Sequence, residues 1–121
     1  MDHSVERGGS NLGPTPTETL ISSLLGCTNS ISHKIAKKHG IDFHNMAINC
    51  EYVFDRAGAV LEQDIKLPFP EIKMAITVET EASQEDLDLI SAELTKYCPV
   101  AKVFREAGIT IIEEWNVKKP G

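Results

Sequence analysis

Five apolar residues, Leu20, Leu24, Cys27, Ile31 and Ile35, recur at steps of four, three, four and four. That spacing places them on one face of a helix with 3.6 residues per turn, and the face is expected to be buried. Thr19, Ser23, Gly26 and Ser30 form an adjoining stripe of small residues, where another backbone can come close. Gly26 has a cost of roughly 1 kcal/mol against alanine in a helix interior. The boundaries are marked at both ends. Thr15-Pro16-Thr17-Glu18 reads as a capping box, with Thr15 as N-cap, Pro16 at the first helical position and Glu18 reaching back to the cap. Gly40 after His39 is a C-terminal stop, so the helix is expected from about Thr15 to His39.

From Phe43 the period falls to two: Met46, Ile48, Cys50, Tyr52 and Phe54 alternate with Ala47, Asn49, Glu51 and Val53, the pattern of a strand. Asp55-Arg56-Ala57-Gly58 reads as a turn into a second strand near Ala59 to Lys66, giving a hairpin whose polar run Glu62-Gln63-Asp64 marks an edge. Leu67-Pro68-Phe69-Pro70 is a rigid link. A third strand follows, with Ile72, Met74, Ile76 and Val78 on its core face. Ser83 opens a second helix, with Glu85 and Asp86 in its first turn and Leu87, Ile90, Leu94 and Tyr97 inward. Cys98-Pro99 interrupts it, making Cys98 the N-cap of a short helix ending near Gly108, and Ile109 to Val117 reads as a last strand.

These elements predict one α+β domain over residues 13–121: a long helix carrying Cys27 on an antiparallel sheet, with a second helix pair carrying Cys98. Residues 1–12, polar and containing Gly8-Gly9, read as a loose or exchanged N-terminal arm. With 121 residues, 41% of them hydrophobic, the chain can build one core without disulfide staples. No apolar run is long enough to span a bilayer, and no basic-then-apolar leader opens the sequence, so a cytoplasmic protein is expected. Eighteen acidic residues against twelve basic ones give a net charge of −6, which opposes binding to nucleic acid or an anionic membrane surface. The basic cluster Lys34, Lys37, Lys38 and His39 falls at a helix C-terminus, where cations favour the dipole.

Three cysteines are too few for a disulfide scaffold and are odd in number. No Cys-x-x-Cys pair or His-Glu-x-x-His pattern occurs among them and His3, His33, His39 and His44, so no metal site is expected. Cys50 shares a strand face with Ile48 and Tyr52 and reads as a core thiol. Cys98 stands at a helix N-terminus, where unpaired N–H groups lower a thiol pKa. Cys27 is mid-helix and needs a cation from elsewhere to ionise; Arg7 is the only arginine upstream.

Three segments, Gly13-Pro14-Thr15-Pro16-Thr17-Glu18-Thr19-Leu20, Leu25-Gly26-Cys27-Thr28 and Cys98-Pro99-Val100-Ala101, resemble the OsmC and organic hydroperoxide resistance superfamily. The likeness runs from about Arg7 to Val117. It implies an intertwined homodimer in which Cys27 attacks an organic hydroperoxide and becomes a sulfenic acid. Cys98 then condenses with it to a disulfide, and an external dithiol such as a lipoylated protein restores both, with no bound cofactor. By the same resemblance Arg7 holds Cys27 as thiolate and Glu18 positions the arginine. The peroxidase branches often place glutamate directly after the proline matching Pro16, where this chain has Thr17, and a one-residue shift is about 100° around a helix. That departure motivates a second expectation: a non-catalytic OsmC-like dimer that binds a small apolar or electrophilic ligand.

Overall fold

The computed structural model describes residues 15–55 and 58–119. Arg7, the arm at 1–12, Gly13-Pro14 and the Arg56-Ala57 half of the expected turn lie outside the described residues. The order is α1 (Pro16–Lys38), β1 (Phe43–Tyr52), β2 (Glu71–Thr80), α2 (Gln84–Tyr97), α3 (Pro99–Glu106) and β3 (Thr110–Lys118). Three helices pack on one face of a three-stranded sheet in the order β1-β2-β3, an α+β architecture.

Local chemistry sets the helix ends. Thr15 Oγ1 accepts from the Glu18 N–H at 3.1 Å while the Thr15 N–H donates to Glu18 Oε1 at 3.4 Å, the reciprocal cap the sequence predicts, and the Thr15 hydroxyl donates to the same oxygen at 2.9 Å. Ser83 and Asp86 repeat the device on α2. At the other end of α1, Gly40 takes φ +70°. There the Ile41 N–H reaches the Ala36 carbonyl and the Gly40 N–H the Lys37 carbonyl, which satisfies two of the last free carbonyls of the helix. Gly108, at φ +96°, ends α3 in the same way, with Ile109 bonded back to Phe104.

The buried face of α1 is rotated from the expected one. Ile21, Leu24, Thr28, Ser32, Ile35 and Ala36 are buried, whereas Leu20 is 45% exposed and Cys27 and Ile31 are half-buried. Two hydroxyl residues can occupy a core because they are satisfied there: Ser32 Oγ donates to the Thr28 carbonyl at 2.6 Å, and Thr28 Oγ1 to the Met74 sulfur at 3.7 Å.

The expected hairpin strand at Ala59 to Lys66 is not formed. Ala59-Val60-Leu61 is an apolar run and Glu62-Gln63-Asp64 a polar one, without the alternation a half-buried strand needs. Instead the Leu61 N–H closes a turn onto the Gly58 carbonyl, Leu61 takes φ +66°, and its side chain is 93% exposed. The segment is tethered further on by Phe69, buried among Tyr52, Phe54 and Phe104 with ring centroids 6.2 to 6.4 Å away. The partner of β1 is therefore β2, antiparallel, with Cys50 opposite Met74 and a bulge between Phe43 and Met46.

The sheet is also mixed rather than wholly antiparallel, since β2 and β3 run parallel. A strand, two helices and a return strand form a crossover connection, and such a connection brings the chain back in the same direction. The central strand β2 buries Ile72, Met74, Ile76, Val78 and Thr80.

Candidate active site: the Cys27 and Cys98 pair

Two unrelated features of the chain bring the sulfurs together. The rotation of α1 leaves Cys27 half-buried at the rim of the core rather than inside it. Cys98 closes α2 and opens α3: its N–H bonds to the Leu94 carbonyl at 3.0 Å, and its own carbonyl accepts from Lys102 at 3.1 Å. Pro99, which cannot donate and biases its predecessor to extended geometry, holds Cys98 at ψ 108° and turns the chain into an elbow. The elbow delivers a fully buried thiol whose Sγ donates to Cys27 Sγ at 3.0 Å. Both cysteines are free thiols, and about 1 Å of approach separates them from the 2.03–2.05 Å of a disulfide.

The ionisation of Cys98 runs opposite to the expectation from its helix position. The N–H groups of Ala101 and Val100 do pull its pKa down, but burial and the adjacent Cys27 sulfur outweigh them, and the thiol is pushed up to about 11. A neutral Cys98 is the form that can donate to Cys27. Cys50 is likewise raised by burial, but stands on β1 opposite Met74 and packs against the core, as expected of a core thiol.

Glu18 is placed at the cap of α1, with its described hydrogen bonds going to Thr15. It stands nine residues before Cys27, about 13.5 Å along the helix axis. Its charge is felt instead at Tyr52 on β1, whose phenol is raised first by burial and then by Glu18 and Cys50. The structure thus brings Cys27 and Cys98 together and sets Glu18 apart from both sulfurs. Among the described residues no helix is long and apolar enough to cross a membrane, and no group of three or more His, Cys, Asp or Glu side chains is clustered to hold a metal ion.

Sequence reasoning passed over a largely buried carboxylate that meets both helices flanking this elbow. Glu113 on β3 accepts from Ser91 of α2 and from the Trp115 indole, both at 3.0 Å, while Arg105 of α3 stands 3.6 Å from its other oxygen. The signal was present: Ile111, Glu113 and Trp115 share the inward parity of β3, and a charge on that face calls for partners. A shallow apolar depression of about 270 Å³ lies between α1, the Leu67-Pro68-Phe69 link and α3, lined by Leu20, Leu67, Phe69, Val103, Phe104 and Ile109.

Fold and site together define a small α+β protein with a vicinal dithiol formed between a long helix and a proline elbow. The OsmC-like protein family matches residues 8–114, and the chain belongs to it. Among solved structures it is similar to a putative osmotic stress induced and detoxification response protein from Psychrobacter arcticus, at 22% identity and TM-score 0.70 over 98% of this chain and 77% of that one. It is similar also to an OsmC-like protein from Mycoplasma pneumoniae, at 15% identity and TM-score 0.68 over 90% and 74% of the two chains. An organic hydroperoxide resistance protein from Legionella pneumophila matches at 14% identity and TM-score 0.60, over 98% and 79%. No curated protein matches the chain in sequence.

Proposed function

We propose that the protein is a cytoplasmic thiol peroxidase that reduces organic hydroperoxides as a homodimer, with Cys27 attacking and Cys98 resolving. The observation that carries this reading is the 3.0 Å contact between the two sulfurs, with Cys98 as donor. The Cys27 thiolate attacks the distal peroxide oxygen, the O–O bond breaks, and the alkoxide leaves as alcohol after taking a proton; the products are an alcohol and a Cys27 sulfenic acid. The Cys98 thiol then attacks the sulfenic sulfur, forming the disulfide and releasing water, before a second peroxide can drive the sulfur to sulfinic acid. An external dithiol, of lipoyl type by family resemblance, reduces the disulfide and is itself oxidised.

The names of several similar structures, which speak of hydroperoxide resistance, support the substrate class. The apolar depression lies on the same two helices about two turns from the sulfurs, with Leu20 seven residues from Cys27 and Phe104 six from Cys98, where it suits the far end of a long alkyl chain. Ser23, Gly26 and Ser30 are exposed on α1, which leaves the small-residue stripe open to a second copy. Family resemblance, rather than any contact among the described residues, makes Arg7 the cation for Cys27 and Glu18, at the start of α1, the support of that arginine.

The test is mass spectrometry after one equivalent of an organic hydroperoxide. Wild-type protein is expected to yield a Cys27–Cys98 disulfide and Cys98→Ser a trappable sulfenic acid on Cys27; an unmodified Cys27 in both defeats the proposal. The same depression favours one competing reading, a dimer that binds a small apolar or electrophilic ligand without turnover. Under that reading Cys27→Ala keeps ligand affinity and the wild type consumes no peroxide.

A further inference from the structure

Cys98 is held at a joint, so its sulfur is aimed by whatever fixes the two arms of that joint. Ser91 lies seven residues before Cys98 on α2 and Arg105 seven residues after it on α3, each roughly 10 Å from the elbow along its helix. One carboxylate reaches both: Glu113 Oε1 accepts the Ser91 hydroxyl at 3.0 Å, and Oε2 faces Arg105 Nη2 at 3.6 Å. The Trp115 indole, donating at 3.0 Å to the same Oε1, fixes the carboxylate from its own strand. The side chain of Glu113 is only 10% exposed, and its hydrogen bonds with ionised character are the stronger kind. In the parallel register Glu113 sits beside Met74, which in turn receives the Thr28 hydroxyl from α1, one residue beyond Cys27.

We propose that Glu113 is a positioning residue for the dithiol: by tying both arms of the elbow to β3 it sets the approach of Cys98 to Cys27, and so the ease with which the disulfide closes. The inference rests on the reading of Cys27 and Cys98 as a redox pair. Its test is therefore chosen to be independent of peroxide.

Oxidised dithiothreitol, or glutathione disulfide where the pair lies at a higher potential, accepts the two electrons and two protons of the pair, so equilibration with the oxidised and reduced reagent gives a reduction potential directly. Glu113→Ala is expected to lower the equilibrium constant for closing the disulfide by about tenfold, a rise of about 30 mV in potential for this two-electron couple. Glu113→Gln keeps an acceptor for Ser91 and Trp115 and is expected to fall between that variant and the wild type. Glu114→Ala, on the exposed face of the same strand and paired with Lys73, is expected to leave the potential unchanged. If Glu113→Ala does not fold, Ser91→Ala and Arg105→Gln cut one arm each, and both are expected to raise the potential. Variants that melt earlier but keep the wild-type potential overturn the proposal, since a purely structural carboxylate behaves that way. A wild-type pair that neither oxidised dithiothreitol nor the stronger oxidant glutathione disulfide closes overturns it too. A pair that closes normally but consumes no hydroperoxide defeats the peroxidase reading and leaves the positioning role intact.

Discussion

Cys50 and Cys98 are both thiols whose ionisation is suppressed by burial, yet they sit in regions built for different ends. Cys50 is one tooth in the alternation of β1: its neighbour across the ladder is Met74, and its surroundings are apolar side chains. Cys98 is more deeply buried, with no exposed surface, but the atom in front of it is another sulfur at 3.0 Å. Burial makes a cysteine inert only when nothing redox-active shares the pocket. What separates the two regions is geometry, and each prediction below either breaks that contrast or sharpens it.

The largest effect is expected from Cys27→Ala, which should lower hydroperoxide consumption in the presence of a dithiol by about three orders of magnitude or more. Cys50→Ala should stay within about twofold of the wild type in that assay; comparable losses in both variants would erase the contrast. Met74→Ala comes next. Met74 is 1% exposed, lies opposite Cys50 and accepts from Thr28, so its truncation should destabilise both regions together by about 2–5 kcal/mol in urea denaturation.

The pH dependence separates the thiols further. Because the folded state holds the Cys98 pKa at about 11, above the value the unfolded chain has, the unfolded state loses this proton first as pH rises. Stability contributed by the neutral thiol is fully present below the unfolded pKa and is lost as pH climbs from there through about 11. Chemical denaturation from pH 8 upward should show this loss, roughly above pH 9, and Cys98→Ser should reduce it. The smallest effects belong to the cap: Thr15→Ala should cost about 1 kcal/mol, measured by thermal melting, and Glu18→Gln, which keeps a capping side chain, about 0.5 kcal/mol or less.

Much of the fold was legible because its signals are local. Thr15 with Glu18, Ser83 followed by an acidic turn, Gly40, Gly108 and the Cys98-Pro99 break each act within a few residues, and each stands where the sequence implies. The face of α1 was misplaced because hydropathy puts Thr28 and Ser32 outside, whereas their hydroxyls are satisfied by a local carbonyl and by methionine sulfur. The extra strand at 59–66 was misread because turn-then-apolar resembles a hairpin, although Leu61 at φ +66° cannot continue an extended chain. The parallel pairing of β3 was implicit in the strand, helix, helix, strand order. In the site, the meeting of Cys27 and Cys98 is a long-range fact 71 residues apart, which only family resemblance anticipated.

Cys27 is the middle residue of α1, with eleven of its twenty-three residues on either side. Helices fray from their ends, so the amide hydrogens around Cys27 belong to the part of α1 that opens last. Cys98, by contrast, hangs from a joint. Motion that brings the sulfurs into bonding distance is therefore expected to come from the Cys98 side, with Cys27 serving as the anvil. Hydrogen exchange on the oxidised protein should then report the change at the ends of α2 and α3 and leave the centre of α1 as protected as before.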